Sequence, residues 1–162
     1  MNYTAKRYLF EQSAVREFYS GEYYDLFLVM RGSGVFRCPE VLLPAQQQNL
    51  IIFKPGQGGR LEYAGAYDSL ELIRVQLSPQ TLAQLSDADT DLEKSFNVVP
   101  FRQVAVRPDS QIYMLLKNLA RKLLMLPQER TQFGAAVFEH GILQMFVVLA
   151  LRACIHAEFH TA

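Results

Sequence analysis

Hydrophobic and polar positions alternate in short, turn-bounded runs over the first two-thirds of this chain, and recur at helical spacing over the last third. Val15-Arg16-Glu17-Phe18-Tyr19 alternates and stops at Ser20-Gly21, which predicts a first strand over 14–19. The apolar run 24–30 breaks at Gly32-Ser33-Gly34 and resumes at Val35-Phe36, the pattern of two antiparallel strands joined by a tight turn in which a glycine supplies positive φ. Residues 40–43 predict a short strand ended by Pro44, and Gln46 to Asn49 a polar turn. Leu50-Ile51-Ile52-Phe53 is unbroken apolar, so it is expected to be buried on both faces. After the turn at Lys54-Pro55-Gly56 come strands over 60–63 and 69–77, the latter alternating Glu71, Ile73, Val75 and Leu77 against Leu70, Leu72, Arg74 and Gln76.

Helices close the chain. Ser78-Pro79-Gln80 opens a short one carrying Leu82 and Leu85, and Asp87 to Asp91 is a solvated loop without a calcium-loop pattern. A last strand is expected over 102–106. Pro108-Asp109-Ser110 starts a helix in which Ile112, Leu115, Leu116, Leu119 and Leu123 repeat at helical spacing until Pro127. A second helix over 129–159 begins amphipathic and becomes apolar nearly all round at 142–151, so it must be covered on every side. Glu139, His140 and Gln144 interrupt any window of the roughly 20 residues a membrane span needs. One face is therefore expected on the preceding helix and the sheet, and another on a second copy of the chain.

Half of the 162 residues are hydrophobic and a fifth are charged, the composition of an ordered globular domain. A chain of this length buries roughly 70% of its unfolded surface around one core. Sixteen basic and sixteen acidic side chains cancel, leaving no net field to attract a phosphate backbone. The apolar run near the N-terminus is too short for a signal peptide, which predicts a cytoplasmic protein with no membrane partner. Cys38 and Cys154 have neither metal-ligand spacing nor the density of a disulfide scaffold, so reduced thiols are expected.

Taken together, the glycine-broken strands at 24–35, the Lys54-Pro55-Gly56 turn ahead of a polar strand, residues 72–79 and the long terminal helix make the chain resemble the N-terminal cupin-like domain of AraC-family transcription regulators. The similarity covers almost the whole chain and is greatest to regulators of sugar use, such as those for rhamnose and arabinose. It implies a mainly β fold with C-terminal helices: a cupin-like jelly-roll barrel over 1–107 that binds a small effector, a sugar or small acid, followed by a helical dimerisation region over 108–162. It also implies a C-terminal domain with two helix-turn-helix units that binds DNA and is absent from this chain. Where the family usually carries Pro-Gly-Asp, this chain has Pro44-Ala45-Gln46-Gln47-Gln48-Asn49.

Cupin enzymes hold metal through histidines and a glutamate on barrel strands. Here no histidine precedes His140, so neither a metal nor another cofactor is expected. His156 and His160 are one helical turn apart without a third ligand, and no nucleophile with a plausible base stands out. The expected role is ligand sensing and dimerisation without catalysis. A stand-alone cupin, either a metal-dependent enzyme or a dimeric binding module, is the alternative.

The anomaly that remains is polar side chains on strands with core-forming neighbours: Arg16, Arg37, Arg60 and Arg74, with Tyr23, Tyr24, Tyr63 and Glu71. A small-molecule pocket needs a few convergent donors among aromatic walls, and arginine offers a fixed fork of them. Candidate effector-binding residues are Arg16, Tyr24, Arg37, Arg60, Tyr63 and Arg74. The resemblance to the arabinose regulator favours Arg16 and Arg74, placing them near strand positions that line its pocket. Candidate dimer contacts on the terminal helix are Leu143, Phe146, Val147, Ala150 and Leu151.

Overall fold

The computed structural model describes residues 1–65, 68–98 and 104–160. Its strands are β1 (Tyr3–Phe10), β2 (Ala14–Tyr19), β3 (Tyr24–Arg31), β4 (Ser33–Arg37), β5 (Leu42–Gln46), β6 (Leu50–Phe53), β7 (Gly58–Tyr63), β8 (Leu70–Leu77) and β9 (Val104–Val106). Its helices are α1 (Pro79–Leu85), α2 (Leu92–Val98), α3 (Ser110–Met125) and α4 (Ala135–His160). The strands form two antiparallel sheets, a five-stranded one in the order β1-β8-β3-β6-β9 and a four-stranded one in the order β2-β7-β4-β5.

The five-stranded sheet is covered on both faces, which is why β6 is apolar throughout and β3 is buried from Tyr24 to Met30. Toward the four-stranded sheet it presents Phe27, Val29, Ile51, Phe53, Leu70 and Leu72. There the rings of Phe18, Phe27, Phe36 and Phe53 pack with centroids 5.0 to 5.9 Å apart, and they fill the space between the sheets. Its other face presents Tyr24, Leu26, Leu28, Met30, Ile73, Val75 and Leu77 to the helices. The alternation read from β8 is the alternation between these two cores.

The run around Gly32 is not a hairpin. β3 pairs with β6 and β8, whereas β4 pairs with β5 and β7, so the chain crosses from one sheet to the other at this point. Gly32 has φ +81°, and a Cβ there would lie 2.2 Å from the carbonyl oxygen of Ser69. The glycine lets the corner pass against the backbone before β8, a demand that looks in sequence like that of a tight turn.

Three other elements depart from expectation. β1 is a full strand whose inward residues, Lys6, Tyr8 and Phe10, are partly polar and do not stand out as a strand. β5 continues through Pro44, which an edge strand tolerates because its outer side needs no ladder donor. At the departure from the family pattern, Gln48 takes φ +77°, and Asn49 Oδ1 accepts from the Gln46 N–H at 2.8 Å. Of the last expected strand, residues 102 and 103 lie outside the described residues.

α4 starts at Ala135, after a 3-10 turn at Leu126–Glu129 and Gly134 at φ +69°. Over Ala135–His156 its mean hydropathy of 1.5 does meet the length and composition of a membrane span, so its polar residues do not by themselves exclude one. Those residues are used by the protein. Glu139 accepts from the Tyr3 hydroxyl at 2.8 Å, and the Gln144 amide donates to the Leu85 carbonyl at 2.8 Å. Leu143, Phe146, Val147, Ala150 and Leu151, expected at a dimer contact, are instead buried within this one chain, packed with α3 and the sheet. α3, together with α1, α2, the turn at Leu126–Glu129 and β9, covers them. Among the described residues, the large apolar side chains α4 leaves exposed are Val137, Phe138, Met145 and Ile155.

Gly32→Ala is expected to lose at least about 1–3 kcal/mol in chemical denaturation, because positive φ and a backbone clash act together. Gly21, at φ +61° with nothing within 4 Å of an added Cβ, serves as the control: Gly21→Ala should cost only about 1–2 kcal/mol.

Candidate functional site

The inward-facing rows of the five-stranded sheet carry one group of polar residues, and the ladder register fixes which lie side by side. Lys6 of β1 stands opposite Arg74 of β8, and Arg74 stands opposite Phe27 of β3. In the next row Thr4, Gln76 and Asp25 follow in the same order. Two cations directly opposite one another repel, so this pairing needs a compensating charge nearby. Asp25 supplies it, and it is the one acid on the inward rows of the described strands.

Asp25 is completely buried, and the Arg74 side chain is 12% exposed. Arg74 grips Asp25 with both arms of its fork, Nε to Oδ1 at 2.8 Å and Nη2 to Oδ2 at 2.7 Å. Nη2 also donates to the Tyr19 carbonyl at 3.0 Å, so this one side chain joins the two sheets. Its guanidinium carbon lies 5.1 Å from the Phe18 ring centroid and 5.4 Å from that of Phe27. Burial pushes the Asp25 carboxyl above the ordinary carboxylate range, although the hydrogen bonds and charge of Arg74, with Gln76 and Ser20, oppose it.

Arg16 enters from the facing sheet. It alternates with Phe18 on the inward side of β2, and its guanidinium lies 4.8 Å from the Tyr8 ring centroid and 5.6 Å from that of Phe18. Lys6 Nζ is 5.1 Å from the same Tyr8 ring. Lys6 and Arg16 are exposed, so the cluster grades from a buried ion pair to a wet cationic rim along the edge strands β1 and β2. At the far end Ser20 is tied down: its hydroxyl lies 2.6 Å from the Gln57 carbonyl oxygen and 3.0 Å from that of Lys54.

The structure thus brings Arg16 and Arg74 together and places the other four candidates elsewhere. Arg37 and Arg60 lie on the outward face of the four-stranded sheet, paired with Glu62 at 3.0 Å and Glu17 at 3.3 Å. Both border a cavity of about 720 Å³ whose lining includes Tyr19, Pro39 and Gly58. Tyr24 faces the helices and packs on Phe96 with ring centroids 5.2 Å apart. Tyr63 faces inward, and its hydroxyl donates to the Asp68 carbonyl at 2.6 Å. Lys6, Tyr8, Asp25 and Gln76 were missed from sequence. The signal for Asp25 was its isolation, a single acid in a strand too apolar to leave it unpaired.

Among the described residues no three His, Cys, Asp or Glu side chains are grouped to hold a metal ion. Cys38 and Cys154 are buried free thiols, and burial pushes Cys154 up to about 12.

No protein-family model matches the chain, and no curated protein matches it in sequence. Solved structures do match. A structure of an apo variant of ToxT from Vibrio cholerae aligns with all of this chain and 58% of its own, at 10% identity and a TM-score of 0.66. Wild-type ToxT with an unsaturated fatty acid bound aligns over 89% of this chain and 51% of its own, at 12% identity and a TM-score of 0.61. The AraC-like transcriptional activator CuxR aligns over 89% of this chain and 49% of its own, at 9% identity and a TM-score of 0.58. The shared property is the fold. The chain spans about half the length of these neighbours.

Arg74→Ala leaves the Asp25 carboxylate buried without a counter-charge and is expected to cost about 3–5 kcal/mol near neutral pH. An acid whose folded pKa is raised above its unfolded value destabilises the fold above the folded value and is relieved as pH falls through it. The stability gap between variant and wild type should therefore narrow in denaturant titrations as pH is lowered toward the ordinary carboxylate range.

Proposed function

We propose that this chain is the effector-sensing and self-associating region of an AraC-type transcription regulator, and that its effector is a small carboxylic acid with an apolar body. The observation that carries the choice of effector is the charge count at the edge of the inter-sheet core. Lys6, Arg16 and Arg74 converge there against Asp25 alone, with the rings of Tyr8, Phe18 and Phe27 beside them. An added carboxylate answers that excess, and guanidinium forks match its planar pair of oxygens. A neutral sugar, one of the two effector types expected from the family resemblance, offers no charge to do so. The neighbour structure that holds an unsaturated fatty acid supports the same chemical class.

The strand order, β1-β8-β3-β6 facing β2-β7-β4-β5, supports reading the sheets as a double-sheet jelly roll over 1–107. The helical region over 108–162 then provides self-association. With the five earlier candidates buried, the surface falls to side chains the helices leave exposed, Met114 and Leu115 on α3 and Met145 on α4. DNA contact belongs in this reading to a separate helix-turn-helix region, and binding shifts the balance between two arrangements of the dimer. The regulator works in the cytoplasm without catalysis.

A thermal-shift panel of fatty acids, aromatic acids, sugars and sugar acids tests the effector class. An acid at 100 times its Kd should stabilise the protein by about 2.7 kcal/mol. Lys6→Ala and Arg16→Ala, both at exposed positions, should each weaken that acid by roughly 10- to 100-fold, the value of a hydrogen bond to a charged group. Stabilisation by a sugar and by no acid overturns the carboxylate reading. For self-association, sedimentation velocity should give a dimer that Leu115→Glu or Met145→Glu converts to monomer; an unchanged dimer in both variants places the contact elsewhere.

A further inference from the structure

The Arg74 fork is already occupied by a carboxylate, that of Asp25, through two hydrogen bonds of 2.8 and 2.7 Å. A ligand carboxylate drawn to this cluster meets its best partner in use. Asp25 cannot turn out into water from its place in the strand, since its side chain is fully buried and it lies between Gln76 and Phe53 in the ladders. If it lost Arg74 while ionised, a bare charge would remain in the core at a cost of several kcal/mol. We propose that Asp25 is an internal stand-in for the ligand's carboxylate: an incoming carboxylate takes over the Arg74 fork, and the released Asp25 takes one proton from solvent. The site then selects ligands by exchange, admitting those able to replace a carboxylate. This rests on the carboxylic-acid reading above.

The groups around Asp25 fit such an exchange. Gln76 from β8 and Ser20 from the turn after β2 offer hydrogen bonds to it besides those of Arg74. Tyr8 from β1 interacts with the far side of the Arg74 guanidinium, and the Tyr19 carbonyl of β2 holds Nη2. These contacts keep the guanidinium in place when its carboxylate partner changes. Lys54 follows Phe53 in β6, and burial lowers its pKa, so it is the second titratable group whose behaviour must be separated from that of Asp25. Lys6 and Arg16 stand at the wet rim, where an approaching anion is met first. Burial favours the neutral form of Asp25, which lowers the cost of protonating it once Arg74 is taken.

Calorimetric titration of the protein with decanoate below its micelle concentration tests the exchange. Runs at one pH in buffers of different ionisation enthalpy count the protons taken up, and runs across about pH 6 to 8 give the slope of Kd. Wild type should take up close to one proton per decanoate, and its Kd should tighten by about tenfold per pH unit lowered while uptake is complete. Asp25→Asn removes the internal competitor, so it should bind decanoate more tightly, without proton uptake and with a flat pH profile. A sloped profile that survives Asp25→Asn assigns the proton to another group, such as Lys54, and overturns the proposal. Decanoate binding to wild type with no proton uptake also overturns it while leaving the carboxylic-acid reading intact, and this arm stands even if the variant does not fold. No decanoate binding at all overturns both.

Discussion

Asp25 lies fully buried in the most enclosed strand of the molecule, and the Arg74 fork is the condition on which it can lie there. Much of the architecture follows from that pairing. Arg74 reaches it from β8, the strand beside β3, and its Nη2 also donates to the Tyr19 carbonyl, where the four-stranded sheet begins its turn into β3. The rings of Phe18 and Phe27 flank the guanidinium, so the ion pair is walled by the aromatic core and not by water. An apolar pair of the same volume would pack at least as well between the sheets. The retention of an ion pair there is evidence for a use beyond holding the fold.

The sheet-then-helix organisation was legible in the sequence wherever one residue's surroundings decide its type. β8 alternates in the sequence because its two faces meet two different cores, and of the helical repeat Ile112, Leu115, Leu116, Leu119 and Leu123 the structure buries Leu116 and Leu123, with Tyr113 and Ala120, and leaves Leu115 exposed. Pairing was less legible. Gly32 announces a reversal of the chain, but only the neighbour of each strand tells a hairpin from a corner between sheets, and those neighbours are far away in sequence. β1 escaped notice because the inner face of this edge strand carries Lys6 and Tyr8 where a core strand carries leucine. The girth of α4 was read correctly and its covering was not, since α1, α2 and α3 of the same chain hide residues expected to need a second copy.

The site was half legible. An arginine on a strand is visible in sequence, but its side of the strand is not, because one residue of register turns it over. Arg16 and Arg74 face inward, while Arg37 and Arg60 meet acids across the outer face. Charge pairing on an exposed face costs little and occurs widely, so these four arginines could not be told apart by composition. The acid was the more informative residue. A carboxylate inside a run of residues as apolar as Leu26 to Val29 has few ways to survive burial: a cation within reach, hydrogen-bond donors around it, or a proton.

β3 carries the consequences of the site to the helices. Its inward residues Asp25, Phe27 and Val29 belong to the ion pair and the aromatic core, whereas Tyr24, Leu26, Leu28 and Met30 on its reverse pack against the helices. The separation between the two is one strand thick. The Tyr113 hydroxyl of α3 donates to the Val29 carbonyl at 3.2 Å, and Tyr24 meets Phe96 of α2, so backbone and side chains of β3 are held from the helical side as well. Close-packed cores of this kind transmit a displacement instead of absorbing it. A ligand that replaces Asp25 at Arg74 changes a polar restraint on the inner face of β3, and the helices pack directly on the reverse of that strand.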